Sequence, residues 1–165
     1  MEKAYTMVLK SFGGLFERME FEKPLPKNGE VLVKIIGCGI CGSDVHVWKG
    51  EDKRSRLPMI LGHESVGFIE SVSDSNKKDI FGNPLRQGDI IVWNRGVSCK
   101  NCYTCLIKRR NYICPSRWSY GFSKSINDYP YLNGGYSSHI LLVPETEIIR
   151  VCTAYAELAV FKASI

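Results

Sequence analysis

Two short stretches carry the side chains best suited to chemistry, Cys41-Gly42-Ser43-Asp44-Val45-His46 and Gly62-His63-Glu64. Each offers a metal donor, the Cys41 thiol or the His63 imidazole, and each has a carboxylate close by, Asp44 in one and Glu64 in the other. A zinc ion that does chemistry takes three protein ligands of this kind and keeps a fourth position open. Alone, a Cys and a His twenty-two positions apart are a weak signal. A buried thiol and a hydrogen-bonded imidazole in unrelated places would read the same way.

The strongest spacing lies further on, Cys99-x2-Cys102-x2-Cys105-x8-Cys114. Four thiolates complete a tetrahedron with no open position, which defines a structural zinc. A four-cysteine iron–sulfur centre has the same ligand count. Without a metal, the same residues would be reactive thiols in a polar loop. The chain has seven cysteines, and its first residues, Met1-Glu2-Lys3-Ala4-Tyr5-Thr6, lack the apolar core of a secretory signal. Cysteines in that setting point to metal binding rather than disulfides, and to a cytoplasmic protein.

At 165 residues the chain has about the length of one domain and buries ~70% of its unfolded surface on folding. Its hydrophobic share of 44% and charged share of 24% are ordinary for a soluble globular protein, and no run of eighteen apolar residues offers a membrane span. The net charge of +5 is densest at Lys108-Arg109-Arg110, beside the cysteine cluster. Nucleic-acid footprints form extended stripes with aromatic platforms or a groove-entering helix. Three charges in one loop read as a solvated loop, so neither nucleic acid nor membrane is expected as a partner.

Something must hold Cys41 beside His63, and the periodicity predicts strands for that task. Segments 5–9, 15–21, 65–72, 90–93, 137–143 and 148–151 are β-rich, and 31–36 is a nearly continuous apolar run suited to a buried strand. Ser43-Asp44 can cap a short helix running to about Lys49. Residues 79–86 look like an insertion, and 99–118 lacks clear periodicity, as a metal-held loop should. Only 154–163 has helical composition. Many short strands with glycine turns predict a mainly β fold, a small barrel or sandwich.

One motif misleads. Gly37-Cys38-Gly39-Ile40-Cys41-Gly42 spells G-x-G-x-x-G after an apolar strand, and Glu64 follows Gly42 by twenty-two residues. That matches a dinucleotide-binding fingerprint on paper. The stretch after it makes no crossover helix, because Gly50 and Pro58 end any helix within two or three turns, and no second βαβ unit follows. The motif reads as a zinc loop, with no cofactor-binding residues in it.

Gly39-Ile40-Cys41-Gly42-Ser43-Asp44-Val45-His46, Leu61-Gly62-His63-Glu64-Ser65-Val66-Gly67, Gly88-Asp89-Ile90-Ile91-Val92, the four-cysteine cluster and Gly134-Gly135-Tyr136-Ser137-Ser138 occur in that order. In them the sequence resembles the zinc-dependent medium-chain alcohol dehydrogenases, particularly the sorbitol and polyol branch, over about positions 5–150. The resemblance implies a GroES-like, partly open β-barrel over 1–150, with a structural-zinc lobe at about 95–118. Residues 151–165 then begin a linker helix towards a Rossmann cofactor domain that is absent from this sequence.

The resemblance also implies roles. Cys41, His63 and Glu64 would bind catalytic zinc, Glu64 as an inner or intermittent ligand. Asp44 would orient the ligand His63 from behind, and Ser43 and His46 would relay the alcohol proton. Cys99, Cys102, Cys105 and Cys114 would hold structural zinc, which decides against iron–sulfur. Their last gap is one residue longer than in many members, and Ser73 replaces a usual Gly or Ala. A remaining catalytic-zinc ligand would fall near Glu157. Trp48 suits the substrate pocket and the core equally, and His139 reads as structural.

The implied activity is oxidation of a secondary alcohol to a ketone by hydride transfer to NAD or NADP. The substrate would be a small alcohol or polyol, and the full-length protein a homo-oligomer. The sequence present is expected to be a truncated enzyme, inactive alone. The alternative is a non-catalytic zinc-binding structural or interaction module.

Overall fold

The computed structural model describes residues 2–151. Segment 154–163, expected from its composition to be helical, and Glu157 lie outside them. Ten strands form: β1 (Lys3–Leu9), β2 (Phe16–Glu22), β3 (Val31–Gly39), β4 (Met59–Ile60), β5 (Glu64–Val72), β6 (Ile90–Trp93), β7 (Gly96–Val97), β8 (Trp118–Ser119), β9 (His139–Leu142) and β10 (Ile148–Arg150). Helix α1 (Gly42–Trp48) follows β3, while α2 (Tyr103–Leu106) and a 3-10 turn (Asn111–Ile113) lie in the cysteine-rich segment. The five-stranded sheet runs β10-β6-β5-β3-β9, the three-stranded sheet β2-β1-β4, and β7 pairs β8. Every strand pair among the described residues is antiparallel. The fold is mainly β, and the G-x-G-x-x-G stretch leads into a seven-residue helix rather than a βαβ crossover.

Burial explains the strand choice. Val31, Leu32 and Val33 are buried on both faces of β3, after which exposure alternates and Ile36 is 44% exposed. The apolar run is thus a central strand only in its first half. Val31, Val33, Ile69, Ile91, Ile140, Leu142 and Ile148 close the main core around Tyr120. A second core joins Leu9, Val47, Met59, Leu61 and Phe122, with Trp48 packed against it. That cluster fixes α1 against β4 and so sets the distance between the two candidate stretches. Burying each of these side chains is worth ~1.5–3 kcal/mol. Trp48 donates its indole N–H to the Gly14 carbonyl at 2.8 Å, so it is a core aromatic.

The register of β3 on β5 brings the site together. Gly39 lies opposite Glu64 and Cys38 opposite Ser65. Cys41, just beyond one strand end, therefore faces His63, just before the other. Register shifts between Leu32 and Val33 and between Ile35 and Gly37 bend β3 on the way, as β-bulges do.

A polar chain ties β2, β5 and β9. His139 is buried, with Nδ1 2.8 Å from Ser138 Oγ and Nε2 2.6 Å from Glu70 Oε2. Lys23 donates to Glu70 at 2.7 Å and also pairs with Glu2. Burial depresses the His139 pKa below its ordinary 6.5. Burial alone would raise the Glu70 pKa, but Lys23 and His139 outweigh it and hold the carboxyl below 4.5. Both folded values lie below the unfolded ones, so both groups stabilise at neutral pH and lose that contribution as pH falls, His139 first. The urea midpoint should fall between pH 7.5 and 5, and His139→Gln should fall less. Comparing the two proteins at fixed zinc cancels acid release of metal. Equal slopes would show that His139 titrates freely.

Candidate active site

Cys41 is the N-cap of α1, in extended backbone, and its N–H donates to Asp44 Oδ2 at 2.9 Å. Asp44 thereby caps the helix start, where a negative side chain is also favoured by the helix dipole. Its other oxygen, Oδ1, accepts from the Gly62 N–H at 3.3 Å and lies 3.4 Å from His63 Nδ1. The last contact is close enough for charge attraction, although the ring N–H is not aligned as a hydrogen bond. Burial opposes the charge on Asp44, yet the His63 ring and the Cys41 N–H hold its pKa below 3.8.

Gly62 has φ +91°, and a Cβ there would lie 2.6 Å from the Tyr136 ring and 2.8 Å from Cys38 Sγ. Only glycine fits both the turn and the space. The Gly135 and Tyr136 N–H groups donate to the Gly62 and Leu61 carbonyls at 2.8 and 2.9 Å, bracing the turn that presents His63.

The donor atoms of Cys41, His63 and Glu64 all lie within 4.8 Å of one another. Cys41 Sγ is 3.4 Å from His63 Nε2, against about 3.6 Å expected across a tetrahedral zinc with ordinary Zn–S and Zn–N bonds. Glu64 Oε2 is buried without a hydrogen-bond partner. A buried carboxylate oxygen left unpaired is costly, and a cation beside it removes the cost. The trio fits a zinc ion.

The four cysteines also converge. Their Sγ atoms lie within 4.8 Å of one another, with 3.5 Å from Cys102 to Cys105, 3.9 Å from Cys102 to Cys114 and 3.5 Å from Cys114 to Cys99. A disulfide needs about 2.05 Å, whereas sulfurs around one tetrahedral zinc sit about 3.8 Å apart. An iron–sulfur cluster would spread its thiolates wider. The Thr104 hydroxyl, 2.9 Å away, lowers the Cys102 pKa to about 6, while burial pushes Cys105 up to about 11. Thiols this close ionise together only when a cation shares their charge. Lys108, Arg109 and Arg110 are exposed beside this cluster.

Ser43 and His46 line an open cleft of about 280 Å³ with Glu51, Asp52, Arg54 and Phe122. His46 Nδ1 bonds to Glu51, and no hydrogen bond joins His46 to Ser43 among the described residues. The two line the cleft without a direct link, so a proton passing between them needs an intermediary. Phe122 meets His63 edge-on at 5.6 Å. Sequence reading missed Phe122 and the brace at Tyr136; the Gly134-Gly135 pair was the one local signal for the brace.

Antiparallel sheets that set a Cys/His/carboxylate trio beside a cleft, with a separate four-thiol cluster, define a zinc-type GroES-like catalytic unit. The alcohol dehydrogenase GroES-like domain matches residues 27–153, and the chain belongs to that family, within the zinc-type medium-chain alcohol dehydrogenases. It is 34% identical over 133 residues to an alcohol dehydrogenase of Geobacillus stearothermophilus, covering 80% of this chain and 35% of that one. A crystal structure of an alcohol dehydrogenase from Thermotoga maritima superposes with a TM-score of 0.88 at 44% identity, covering 96% of this chain and 44% of that one. An alcohol dehydrogenase from E. coli complexed with NADH has a TM-score of 0.75 at 26% identity over 96% of this chain and 42% of that one. The chain thus spans less than half the length of each.

Proposed function

We propose that this chain is the zinc-binding catalytic part of an NAD(P)-dependent dehydrogenase that oxidises a secondary alcohol or polyol to a ketone. The observation that carries the reading is the Cys41, His63 and Glu64 trio, with its unpaired buried carboxylate oxygen, opening beside the cleft of Ser43 and His46. Cys41, His63 and Glu64 hold a zinc ion, and Asp44 orients His63 from behind. Zinc bound there supplies a Lewis acid that acidifies an alcohol hydroxyl. Ser43 accepts the hydroxyl proton and His46, exposed beside Glu51, passes it to water.

The dinucleotide requires a cofactor domain beyond these antiparallel sheets, and a polypeptide of these 165 residues alone is expected to be inactive. NADH in the E. coli relative supports a nicotinamide acceptor. Cys99, Cys102, Cys105 and Cys114 hold a second, structural zinc. We assign the protein to the cytoplasm, where its thiols stay reduced, and its full-length form to a homo-oligomer.

Metal analysis tests the reading directly. The chain should carry two zinc ions, the one at Cys41 and His63 being lost first to mild chelation, because its remaining ligand falls outside the trio. His63→Ala should remove that ion and leave the other. Equal resistance of both ions to chelation would show the trio to be a complete closed site.

A further inference from the structure

Phe122 stands between the proposed metal centre and two cations. Its ring meets His63 on one side, while the Arg54 and Arg95 guanidiniums lie 4.8 and 5.6 Å from its centroid. A guanidinium stacked on a ring uses its face and keeps its N–H edge free for the planar fork of a carboxylate or phosphate. Arg54 is held ready: its Nε and Nη2 donate to Asp52 at 3.0 and 2.6 Å, leaving its remaining donors open.

The two arginines on Phe122 differ in their partners. Glu51 is paired with His46, and Asp52 with Arg54. Arg95, exposed in the turn between β6 and β7, has no carboxylate partner among the described residues. Its backbone is fixed, since its carbonyl accepts the Tyr120 N–H at 2.9 Å. One stacked arginine already covers Phe122. Arg95 shares the same ring without a carboxylate of its own among the described residues, so its guanidinium edge is free for an anion from solution.

We propose that Arg54 and Arg95 form an anion clamp, so that the substrate carries a carboxylate or phosphate away from its reacting hydroxyl. The inference rests on reading Cys41, His63 and Glu64 as the centre of alcohol oxidation. It narrows the substrate class from alcohols in general to hydroxy acids or phosphorylated alcohols.

The test uses the protein with cobalt(II) in place of zinc, so that ligands near the Cys41 centre alter its visible absorption. The probes are butan-2-ol, 3-hydroxybutyrate and glycerol 3-phosphate at low ionic strength. At least one anionic probe should half-saturate at about tenfold lower concentration than butan-2-ol, the scale of one charge-assisted hydrogen-bonded contact. The stronger of the two identifies the anion. Arg95→Ala should erase the advantage and Arg95→Lys restore part of it.

Equal half-saturation by all three probes overturns the clamp. So does an advantage that survives Arg95→Ala, which marks an anion bound to the metal itself. If Arg95→Ala weakens NAD+ binding but leaves the probes ranked as before, the arginine serves cofactor phosphates and the clamp is again overturned. A spectrum that answers to no alcohol is a different failure. It removes the alcohol-oxidation reading, and the clamp with it.

Discussion

Cys102→Ser is expected to empty the four-thiol cluster and expose residues 95–118 to proteolysis. The lobe has little else to hold it. Tyr103, Leu106, Ile107, Tyr112 and Ile113 are 47–68% exposed, and the buried residues in its centre are two of the cysteines, Cys105 and Cys114. Helix α2 has four residues, far below the ~12–15 at which an isolated helix becomes stable in water. Structural zinc contributes ~10–16 kcal/mol in small domains, as much as the whole stability of a typical fold. Val97 and Trp118 anchor the two ends of the lobe in the main core, and the rest of both cores lies around β3, β5 and β9 and around α1 and β4. Removing one thiolate should therefore unravel the lobe while the sheets persist. Trypsin should cut first at Lys108, Arg109 or Arg110, which are exposed. Zinc content should fall by one ion per chain. An unchanged zinc content in the variant would rule out this assignment.

That lobe was the most legible part of the sequence, because its four ligands sit within sixteen residues and local chain closure alone can bring them together. The trio was legible as two motifs but not as a geometry. Cys41 meets His63 because Gly39 pairs with Glu64. That register depends on two irregularities in β3, and a one-residue slip would turn every side chain to the other face. Nothing in the residues 31–39 announces where the bulges fall.

The same limit hid Phe122, which lines the cleft, and Arg95, which lies over its ring, because both come from segments with no periodicity of their own. Strands β4, β7 and β8 have two residues each, too few to show alternation. Short helical turns inside 99–118 were masked likewise, since the ligand spacing, not an apolar face, shapes them. The apolar run at 31–36 suits a buried strand, and its first half is one, but it emerges at Ile36, where the strand leaves the shelter of the core.

Joining this chain to a cofactor domain of the same family, one that also supplies the remaining zinc ligand, is expected to give NAD(P)-dependent oxidation of secondary alcohols. A polypeptide of these 165 residues alone should give none. Hydride transfer needs the nicotinamide carbon ~3–3.5 Å from the substrate carbon, and positioning of that kind supplies ~7–11 kcal/mol of the barrier. The described strands are antiparallel, and the glycine-rich stretch that mimics a dinucleotide fingerprint runs through Cys41 to Gly42, with the Cys41 N–H already committed to Asp44. Among the described residues no parallel βαβ unit offers a dinucleotide site. In the joined protein Cys41→Ala should abolish turnover, since it removes a ligand of the trio. Ser43→Ala should cost ~10²–10⁴-fold in kcat, the usual worth of a positioned proton acceptor, with zinc content unchanged. His46→Gln should cost less, because His46 is exposed and water can take over the outward step. The comparison is steady-state turnover across the four proteins with matched metal loading. Measured NAD(P)-dependent turnover by the unextended chain, above a Cys41→Ala control, would refute this division of labour.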